Sequence, residues 1–239
     1  MFIQAPTEGA AALYDGPLEP VEDAARRRKS AVAGLDTIKV TIGQPIGWSV
    51  SDAYRRDGKP LPGDLSSLLG ADDAVVVAFA CTFRLPPDAA VEFAEFSVKL
   101  SVESGVAPIA FDLFPLLVTH EVSRNVRVAL APSLKFSELV EVSPGEVALE
   151  LGYDQIVPTI EALGIREAEF GWRLKRSKAQ PLAATSAFYA VVRLGHGTAK
   201  ISGTCDLQAD VRQGRRMRPP ERLPQSANRW FAVTRDGLS

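Results

Sequence analysis

Strict alternation of apolar and polar side chains between Thr198 and Arg212 is the feature that most constrains the fold. The apolar positions are Ala199, Ile201, Gly203, Cys205, Leu207, Ala209 and Val211, and every position between them carries a hydroxyl, amide or charged group. A period of two places successive side chains on opposite faces of a strand. The segment therefore predicts a long strand whose polar face sees water and whose apolar face packs on another sheet.

Several other segments have the strand period or are short apolar runs bounded by turn residues. They are Asp36–Ile42, Val75–Phe83, Phe96–Val102, Ile109–Leu113, Val126–Leu130, Val147–Leu151, Glu167–Lys175 and Phe188–Leu194. The unbroken apolar run of Val75–Phe83 predicts a strand that is buried on both faces. A change of phase at Phe93 and Ala94 predicts a β-bulge or a bend.

Three stretches favour a short helix. They are Val21–Gly34, which begins with acidic and ends with basic residues, Asp64–Leu69 and Pro158–Leu163. Strand patterns cover far more of the chain than helical ones. The sequence therefore predicts a mainly β protein, an antiparallel β-sandwich with a short N-terminal helix and an extended C-terminal tail.

A short phrase occurs twice in the chain. Ala94–Leu100 is Ala-Glu-Phe-Ser-Val-Lys-Leu, and Ala168–Leu174 is Ala-Glu-Phe-Gly-Trp-Arg-Leu. Extending this match outward predicts two related β units, packed as two small sandwiches or merged into one; a chance match is the alternative. The predicted organisation is a leader and helix over 1–35, a first β unit over 36–142 with a long loop at 47–74, a second β unit over 143–212 and an Arg/Pro-rich tail over 213–239.

Composition limits the classes of partner. The 239 residues are 46% hydrophobic and 23% charged, with a net charge of −2, which excludes a wholly disordered chain and argues against bulk attraction to nucleic acid or an anionic membrane. The N-terminus lacks the pattern of a secretory signal, and no apolar run is long enough for a membrane helix. We therefore expect a cytoplasmic protein in which Cys81 and Cys205 are buried thiols rather than a disulfide or reactive groups.

Signals for catalysis are weak. His120 and His196 lack the neighbouring ligands that a zinc site needs, and nucleophile elbows, glycine-rich phosphate loops and Cys-x-x-Cys pairs are absent from the sequence. We predict no catalytic residue, metal ligand or cofactor, and the sequence favours a non-enzymatic protein. The alternative enzyme is a hydrolase whose carboxylate site is built from Asp112, Asp154 and the loop around Trp48.

The C-terminal segment supplies most of the candidate binding residues. It contains Arg212, Arg215, Arg216, Arg218 and Arg222, followed by Trp230 and Phe231. Arginine forks suit carboxylates and phosphates, and an extended peptide with an aromatic anchor is typical of partner docking. In that interpretation, deleting Gln213–Ser239 leaves the body folded. In the alternative, the segment folds back and the two aromatic residues fill a groove on the protein's own sheet.

Two aromatic residues of the long loop, Trp48 and Tyr54, are further candidates for binding a partner, because loops often carry binding surfaces. Packing of Trp48 against the core is the alternative. Long alternating strands such as Thr198–Arg212 also occur in proteins that insert β-hairpins into membranes, but its Ala, Gly and Cys make a weakly apolar face. Membrane insertion is therefore a further alternative.

The stretch Val91–Leu134 contains a Glu-Phe-Ala-Glu-Phe-Ser-Val-Lys-Leu-Ser-Val-Glu strand and a later Val-Arg-Val-Ala-Leu strand. In this pattern of strands the stretch resembles the small trypsin-co-occurring β domains of bacterial conflict systems. The resemblance implies a non-catalytic accessory module in a bacterial defence setting and transfers no active-site residue. We expect an adaptor, regulatory or assembly subunit that binds a protein partner, and a homo-oligomer is compatible with the sequence.

Overall fold

The computed structural model describes residues 11–21, 37–51, 60, 63, 66, 73–101, 108–120, 126–129, 159–176, 182, 185–194 and 200–234. Within these residues the chain forms sixteen β-strands. They are β1 (Ala12–Pro17), β2 (Glu19–Pro20), β3 (Lys39–Gly43), β4 (Ile46–Ser49), β5 (Asp73–Arg84), β6 (Ala89–Leu100), β7 (Ile109–Phe114), β8 (Leu117–His120), β9 (Val126–Ala129), β10 (Thr159–Leu163), β11 (Glu169–Lys175), β12 (Thr185–Leu194), β13 (Lys200–Gln213), β14 (Arg216–Met217), β15 (Glu221–Arg222) and β16 (Trp230–Thr234).

The strands form two sheets. Sheet 1 has six strands in the order β1-β3-β5-β12-β7, with β4 also paired to β5. Sheet 2 has ten strands in the order β2-β15-β13-β6-β11-β10-β8-β9, with β14 and β16 also paired to β13. The paired strands run antiparallel, as in β5 with β12 and in β6 with β13. The predicted mainly β fold with antiparallel sheets is therefore confirmed.

The two sheets bury one shared core between them. Aromatic rings cross the interface: Phe79 of sheet 1 lies 5.6 Å from Phe231 of sheet 2, and Phe188 of sheet 1 lies 4.8 Å from Trp172 of sheet 2, measured between ring centroids. The Trp172 indole donates a hydrogen bond to the Pro115 carbonyl at 3.2 Å, which satisfies its polar edge inside the core. Sheet-on-sheet packing thus orders the centre of the molecule.

Strand β5 is buried on both faces, as its sequence predicts. Val77 and Phe79 face sheet 2, while Val76 and Ala78 face the other way, and all four are at most 1% exposed. Strand β13 also follows its predicted pattern, since Cys205, Leu207, Ala209 and Val211 are at most 1% exposed. Among the described positions of its predicted water-facing side, Ser202 is the exception: it is buried, its carbonyl accepts a hydrogen bond from the Ser101 amide, and it is opposite Ala232 of β16.

A β-bulge interrupts β6 where the sequence changes phase. Asp210 of β13 is opposite Phe93, and the next residue, Val211, is opposite Val91, so Glu92 is the extra residue. A bulge releases one residue from the regular alternation and bends the strand. The phase change at Phe93 therefore marks a bulge, as predicted.

The two copies of the repeated phrase are neighbours in sheet 2. Their central residues, Ser97 of β6 and Gly171 of β11, are opposite each other in the antiparallel register. Because each copy has an acid near its start and a base near its end, this register pairs each acid with the other copy's base. Glu95 contacts Arg173 at 2.9 Å and Lys99 contacts Glu169 at 3.6 Å. The repeat is therefore self-complementary across the strand pair.

The preceding strands differ between the copies, because β5 lies in sheet 1 and β10 lies in sheet 2 beside β11. The segment that the duplication aligns with β5, Val147–Tyr153, lies outside the described residues. Duplication therefore stays a prediction. The predicted helices Val21–Gly34 and Asp64–Leu69 likewise lie almost entirely outside the described residues.

The predicted helix at Pro158–Leu163 is wrong, because Thr159–Leu163 forms strand β10. Glu161, Ala162 and Leu163 favour helix locally, but a helix this short is marginal by itself. In the fold, β10 pairs with both β8 and β11 and buries Ile160 to 9% exposure. Pairing with two neighbouring strands satisfies the backbone N–H and C=O groups of β10, and this tertiary pairing determines its conformation.

Candidate functional site

The C-terminal segment folds back along one edge of β13. Strand β16 pairs with residues 200–204 of β13, β15 with Gln208 and Ala209, and β14 with Arg212 and Gln213. The opposite edge of β13 is occupied by β6. The prediction of an extended tail is therefore wrong for residues 213–234, because main-chain pairing with an otherwise open strand edge fixes this segment in place.

Burial of apolar side chains anchors the same segment. Phe231 and Leu223 are 0% exposed, and Val233 is 5% exposed. Phe231 packs edge-on against Phe79 of sheet 1. Phe231 is therefore a core residue, and the structure does not present it to a partner.

Arg212 is engaged within the chain. Its Nε donates to Glu92 Oε1 at 2.6 Å, and Nη1 of Arg176 donates to the same oxygen at 2.6 Å. Burial opposes ionisation of Glu92, but hydrogen bonds from Arg212 and Arg176 outweigh it and lower the pKa of that carboxyl. The bulge residue therefore ties β6, β13 and the end of β11 together.

Arg218 is also engaged within the chain. Its Nη2 lies 2.7 Å from Glu221 Oε1, and the side chains are 7% and 1% exposed. Burial raises the pKa of Glu221, and the guanidinium of Arg218 partly offsets this. Arg222 is opposite Glu19 in the β15–β2 pair and is half-buried. These residues join the C-terminal segment to the N-terminal strand.

The remaining two arginines occupy an exposed hairpin tip. Arg215, Arg216 and Met217, which we call the arginine tip, follow β13 at the turn into β14, and all three are exposed, Met217 at 47%. Gly214 has φ of 58°, a conformation that suits glycine. The Gly214 amide donates to the Asp88 carbonyl at 2.9 Å, so the turn is held against the β5–β6 connection.

Charged groups of both signs lie around the arginine tip, since the exposed Asp88 has its Oδ2 3.9 Å from the position that a Cβ would take at Gly214. Arg212 and Arg176 share the single carboxylate of Glu92, and Lys175 is exposed at the end of β11. Among the described residues, neither Arg215 nor Arg216 forms an ion pair. Two guanidinium groups are thus presented to solvent on a hydrogen-bonded turn.

Trp230 lies near the other end of β13, opposite Thr204, and is 51% exposed. Lys200 lies over its ring, with Nζ 5.3 Å from the centroid. Its neighbour Arg229 contacts Asp206 at 3.2 Å and donates to the carbonyls of Leu223 and Pro224. Trp230 is therefore exposed but far along the strand from the arginine tip.

Of the two aromatic residues predicted to lie in the long loop, the structure describes only Trp48. Trp48 lies in β4, where it is opposite Val76 of β5 and half-buried. Tyr54 lies outside the described residues. Trp48 therefore belongs to a strand of sheet 1, and the structure does not bring it to the arginine tip.

The carboxylate proposed for the alternative hydrolase is inaccessible. Asp112 is 0% exposed; its Oδ1 accepts a hydrogen bond from the Leu113 amide, and its Oδ2 has no hydrogen-bond partner. Burial raises its pKa to about 6. Asp154 and His196 lie outside the described residues, and within the described part no group of three His, Cys, Asp or Glu side chains is placed to hold a metal.

Glu92 and Glu221, the two acids that pair with Arg212 and Arg218 inside the molecule, were not among the residues predicted from the sequence. Only Glu92 had a local signal, because it adjoins the change of phase at Phe93 that marks the bulge. Glu221 follows a Pro-Pro pair in a segment that shows no period. Its pairing with Arg218 becomes apparent only when the segment is laid on β13.

In the part of the chain that the structure describes, no helix has the length and apolar character needed to cross a membrane. No protein-family model matches the chain, and no curated protein matches it.

Among solved structures, the chain is similar to the Clostridium perfringens delta-toxin, with a TM-score of 0.35 and 7% identity over 92% of this chain and 86% of that chain. It is also similar to the membrane-inserted form of the Clostridium perfringens NetB toxin, with a TM-score of 0.35 and 6% identity over 96% of this chain and 92% of that chain. A third structure is the collagen-binding subdomain of the Enterococcus faecalis surface protein ACE, with a TM-score of 0.31 and 13% identity over 67% of this chain and 87% of that chain. TM-scores and identities this low carry no argument about function.

Proposed function

We propose that this protein is a non-catalytic β-sandwich subunit, of adaptor, regulatory or assembly type, that binds an acidic surface of a protein partner through the arginine tip. The observation that carries the proposal is the exposure of Arg215 and Arg216 on a hydrogen-bonded turn, while Arg212 and Arg218 are used inside the molecule. Arg215 and Arg216 are therefore available to a partner, whereas the other two are engaged within the chain.

Arginine has the chemistry that such contacts need. Its planar fork donates paired hydrogen bonds to a carboxylate, and charge-assisted bonds of this kind are roughly twice as strong as neutral ones. Met217 adds an exposed, flexible apolar side chain beside the two charges. Arginine and methionine are both enriched at protein interfaces.

The hydrogen bonding of the turn supports the same proposal. The turn is held between the β13–β14 pair and the hydrogen bond from Gly214 to Asp88. A group that is already ordered loses less conformational entropy when it binds. A lysine-rich flexible tail of equal charge has no such advantage.

Two finer features belong to the same proposal. We assign the sandwich to two related β units, a view supported by the self-complementary register of β6 and β11 around Ser97 and Gly171. A cytoplasmic setting and a role in bacterial defence follow from the sequence expectations alone.

Site-specific photocrosslinking tests the proposal. A photoreactive amino acid at position 217, beside both arginines, is expected to trap one discrete heteromeric adduct in the source cells, identifiable by mass spectrometry. The double change R215E/R216E in the same chain should reduce that adduct at least tenfold, because it replaces attraction by repulsion. Recombinant partner should bind less tightly as salt is raised, since exposed charge contacts are screened.

A matched control uses Lys39, an exposed base on β3 in sheet 1. The crosslinker at position 39 should not trap the same partner, and K39E should leave the position-217 adduct intact. The proposal fails if position 217 gives no discrete adduct, if R215E/R216E leaves it unchanged, or if position 39 traps the same protein.

A further inference from the structure

The chain's two cysteines face the same core from opposite sheets. Cys81 lies in β5 of sheet 1 and Cys205 lies in β13 of sheet 2. Both are free thiols, 2% and 0% exposed, and both belong to the shared core. Because the chain has two cysteines in total, one intramolecular pairing is available.

Aromatic contacts join the parts of β5 and sheet 2 that carry the two cysteines. Phe79 of β5 packs against Phe96, Phe170 and Phe231 of sheet 2, with centroid distances of 6.0, 6.2 and 5.6 Å. Val98, two residues after Phe96 in β6, is opposite Phe170 on one side and Cys205 on the other, and Phe231 is opposite Gly203, two residues before Cys205. Cys81 is the next residue after Phe79 on the same face of β5.

Electrostatic coupling supports this proximity. Burial is the largest cause of the raised pKa of the Cys205 thiol, and the second cause is the charge of Cys81. Burial alone raises the pKa of Cys81 to about 12. The charge of Cys81 therefore acts on the Cys205 thiol across the interface between the sheets.

We propose that Cys81 and Cys205 form an intramolecular disulfide that joins sheet 1 to sheet 2 when the chain folds in the presence of a low-molecular-weight disulfide such as oxidised glutathione. One cysteine thiolate attacks oxidised glutathione, giving a mixed disulfide and releasing one glutathione thiolate. The second cysteine thiolate attacks the protein sulfur of that mixed disulfide and releases the other glutathione thiolate. The two thiol protons end on the two released glutathiones, and oxidised glutathione accepts the two electrons.

Burial determines when the reaction takes place. Thiol–disulfide exchange needs a thiolate and access to it, and both are withheld from fully buried thiols in the folded chain. The bond therefore forms during folding and is then protected from reduction by the same burial. It closes a long loop, for which the stabilisation expected from a disulfide is large.

The test compares two treatments of the full chain. The reduced chain is unfolded and refolded in glutathione buffer containing both redox forms, and a second sample of folded, reduced chain is placed in the same buffer. After unfolding in acid, thiol titration and intact mass should show no free thiol and the loss of two hydrogens for the refolded monomer, and two free thiols for the sample that stayed folded. The refolded sample should also unfold at a higher urea concentration than its reduced form.

The variants C81S and C205S provide controls, because neither can form the intramolecular bond; each should keep one free thiol or stop at the mixed glutathione disulfide of the first step, and neither should lose two hydrogens. A disulfide needs Cβ atoms about 4 Å apart, so the wild-type result reports whether the sheets approach this closely. Two free thiols in the refolded wild type, a mixed glutathione adduct as the end product, or a disulfide-linked dimer in place of the monomer each overturn the proposal.

Discussion

Asp112 shows at the scale of one residue how a buried group sets a pH dependence. The carboxyl is fully buried on β7 and has one satisfied and one unsatisfied oxygen. Its ladder partner is Val191, which is also fully buried. An ionised carboxyl in such surroundings is unfavourable, which is the cause of its raised pKa.

Changing Asp112 to Asn should make the stability difference from wild type depend on pH. Since the folded pKa of about 6 is above the ordinary 3.8, the folded chain binds the proton more tightly, and the contribution of Asp112 is lost as pH rises through 6. The free energy of unfolding of D112N relative to wild type should therefore increase between pH 4 and pH 8, by up to roughly 3 kcal/mol at about 1.4 kcal/mol per pKa unit. Urea unfolding at both pH values measures it.

Glu92 provides a control of opposite sign, because its pKa is lowered by Arg212 and Arg176. Glu92→Gln should be more destabilising at pH 8 than in acid, where the wild-type carboxyl is protonated. A D112N difference that stays constant across this pH range would contradict the assignment for Asp112.

Strand pairing at the element scale depends on one glycine in the repeated phrase. A Cβ at Gly171 would overlap the carbonyl oxygen of Phe96 and approach the Ser97 Cα to 2.9 Å. Both obstacles are backbone atoms of β6, so they cannot turn aside as a flexible side chain can. The close approach of β6 and β11 therefore requires glycine at this position.

Gly171→Ala should lower the free energy of unfolding by about 1–3 kcal/mol, the usual range for forcing an extra methyl into a packed region. Thermal or urea unfolding of the full chain measures the loss. The matched control is Ser97→Ala at the opposite position, which adds no atom and should cost far less. Equal stabilities of G171A and wild type would show that the strands can separate freely at this point.

Folding of the whole molecule depends on the C-terminal segment. This segment contributes Leu223, Phe231 and Val233 to the core and covers an edge of the longest strand, β13. A chain ending at Gln213 should therefore be unfolded or aggregated by circular dichroism and gel filtration. This outcome is the reverse of what an extended tail implies. A folded, monomeric truncated chain would contradict it.

Single substitutions of two adjacent aromatic residues in this segment should lower the free energy of unfolding by different amounts. Phe231→Ala should cost about 3–5 kcal/mol of unfolding free energy, as is usual for a buried aromatic. Trp230→Ala should cost at most about 1 kcal/mol, because Trp230 is 51% exposed and its contact with Lys200 is a cation–π pair at the surface. Urea unfolding of both variants checks the contrast.

The sequence correctly predicts those features of the fold that depend on neighbouring residues. The alternation of β13, the double burial of β5 and the bulge beside Phe93 all follow from side-chain order along one strand, because successive residues of a strand point to opposite faces. It failed for β10, where local helix preference was overridden by pairing with β8 and β11. The candidate site was found as a set of arginines, but without the division between internal and exposed members.

The sequence by itself determined the class of secondary structure, the apolar faces and the likeness of β6 to β11. The tertiary structure decided that these two strands are partners, that the C-terminal segment lies on β13, and that Glu92 and Glu221 engage Arg212 and Arg218 while Arg215 and Arg216 are left exposed. The physical reason is distance along the chain. Alternation is fixed by neighbouring residues, whereas pairing and charge neutralisation join residues far apart in sequence, whose meeting depends on the whole fold.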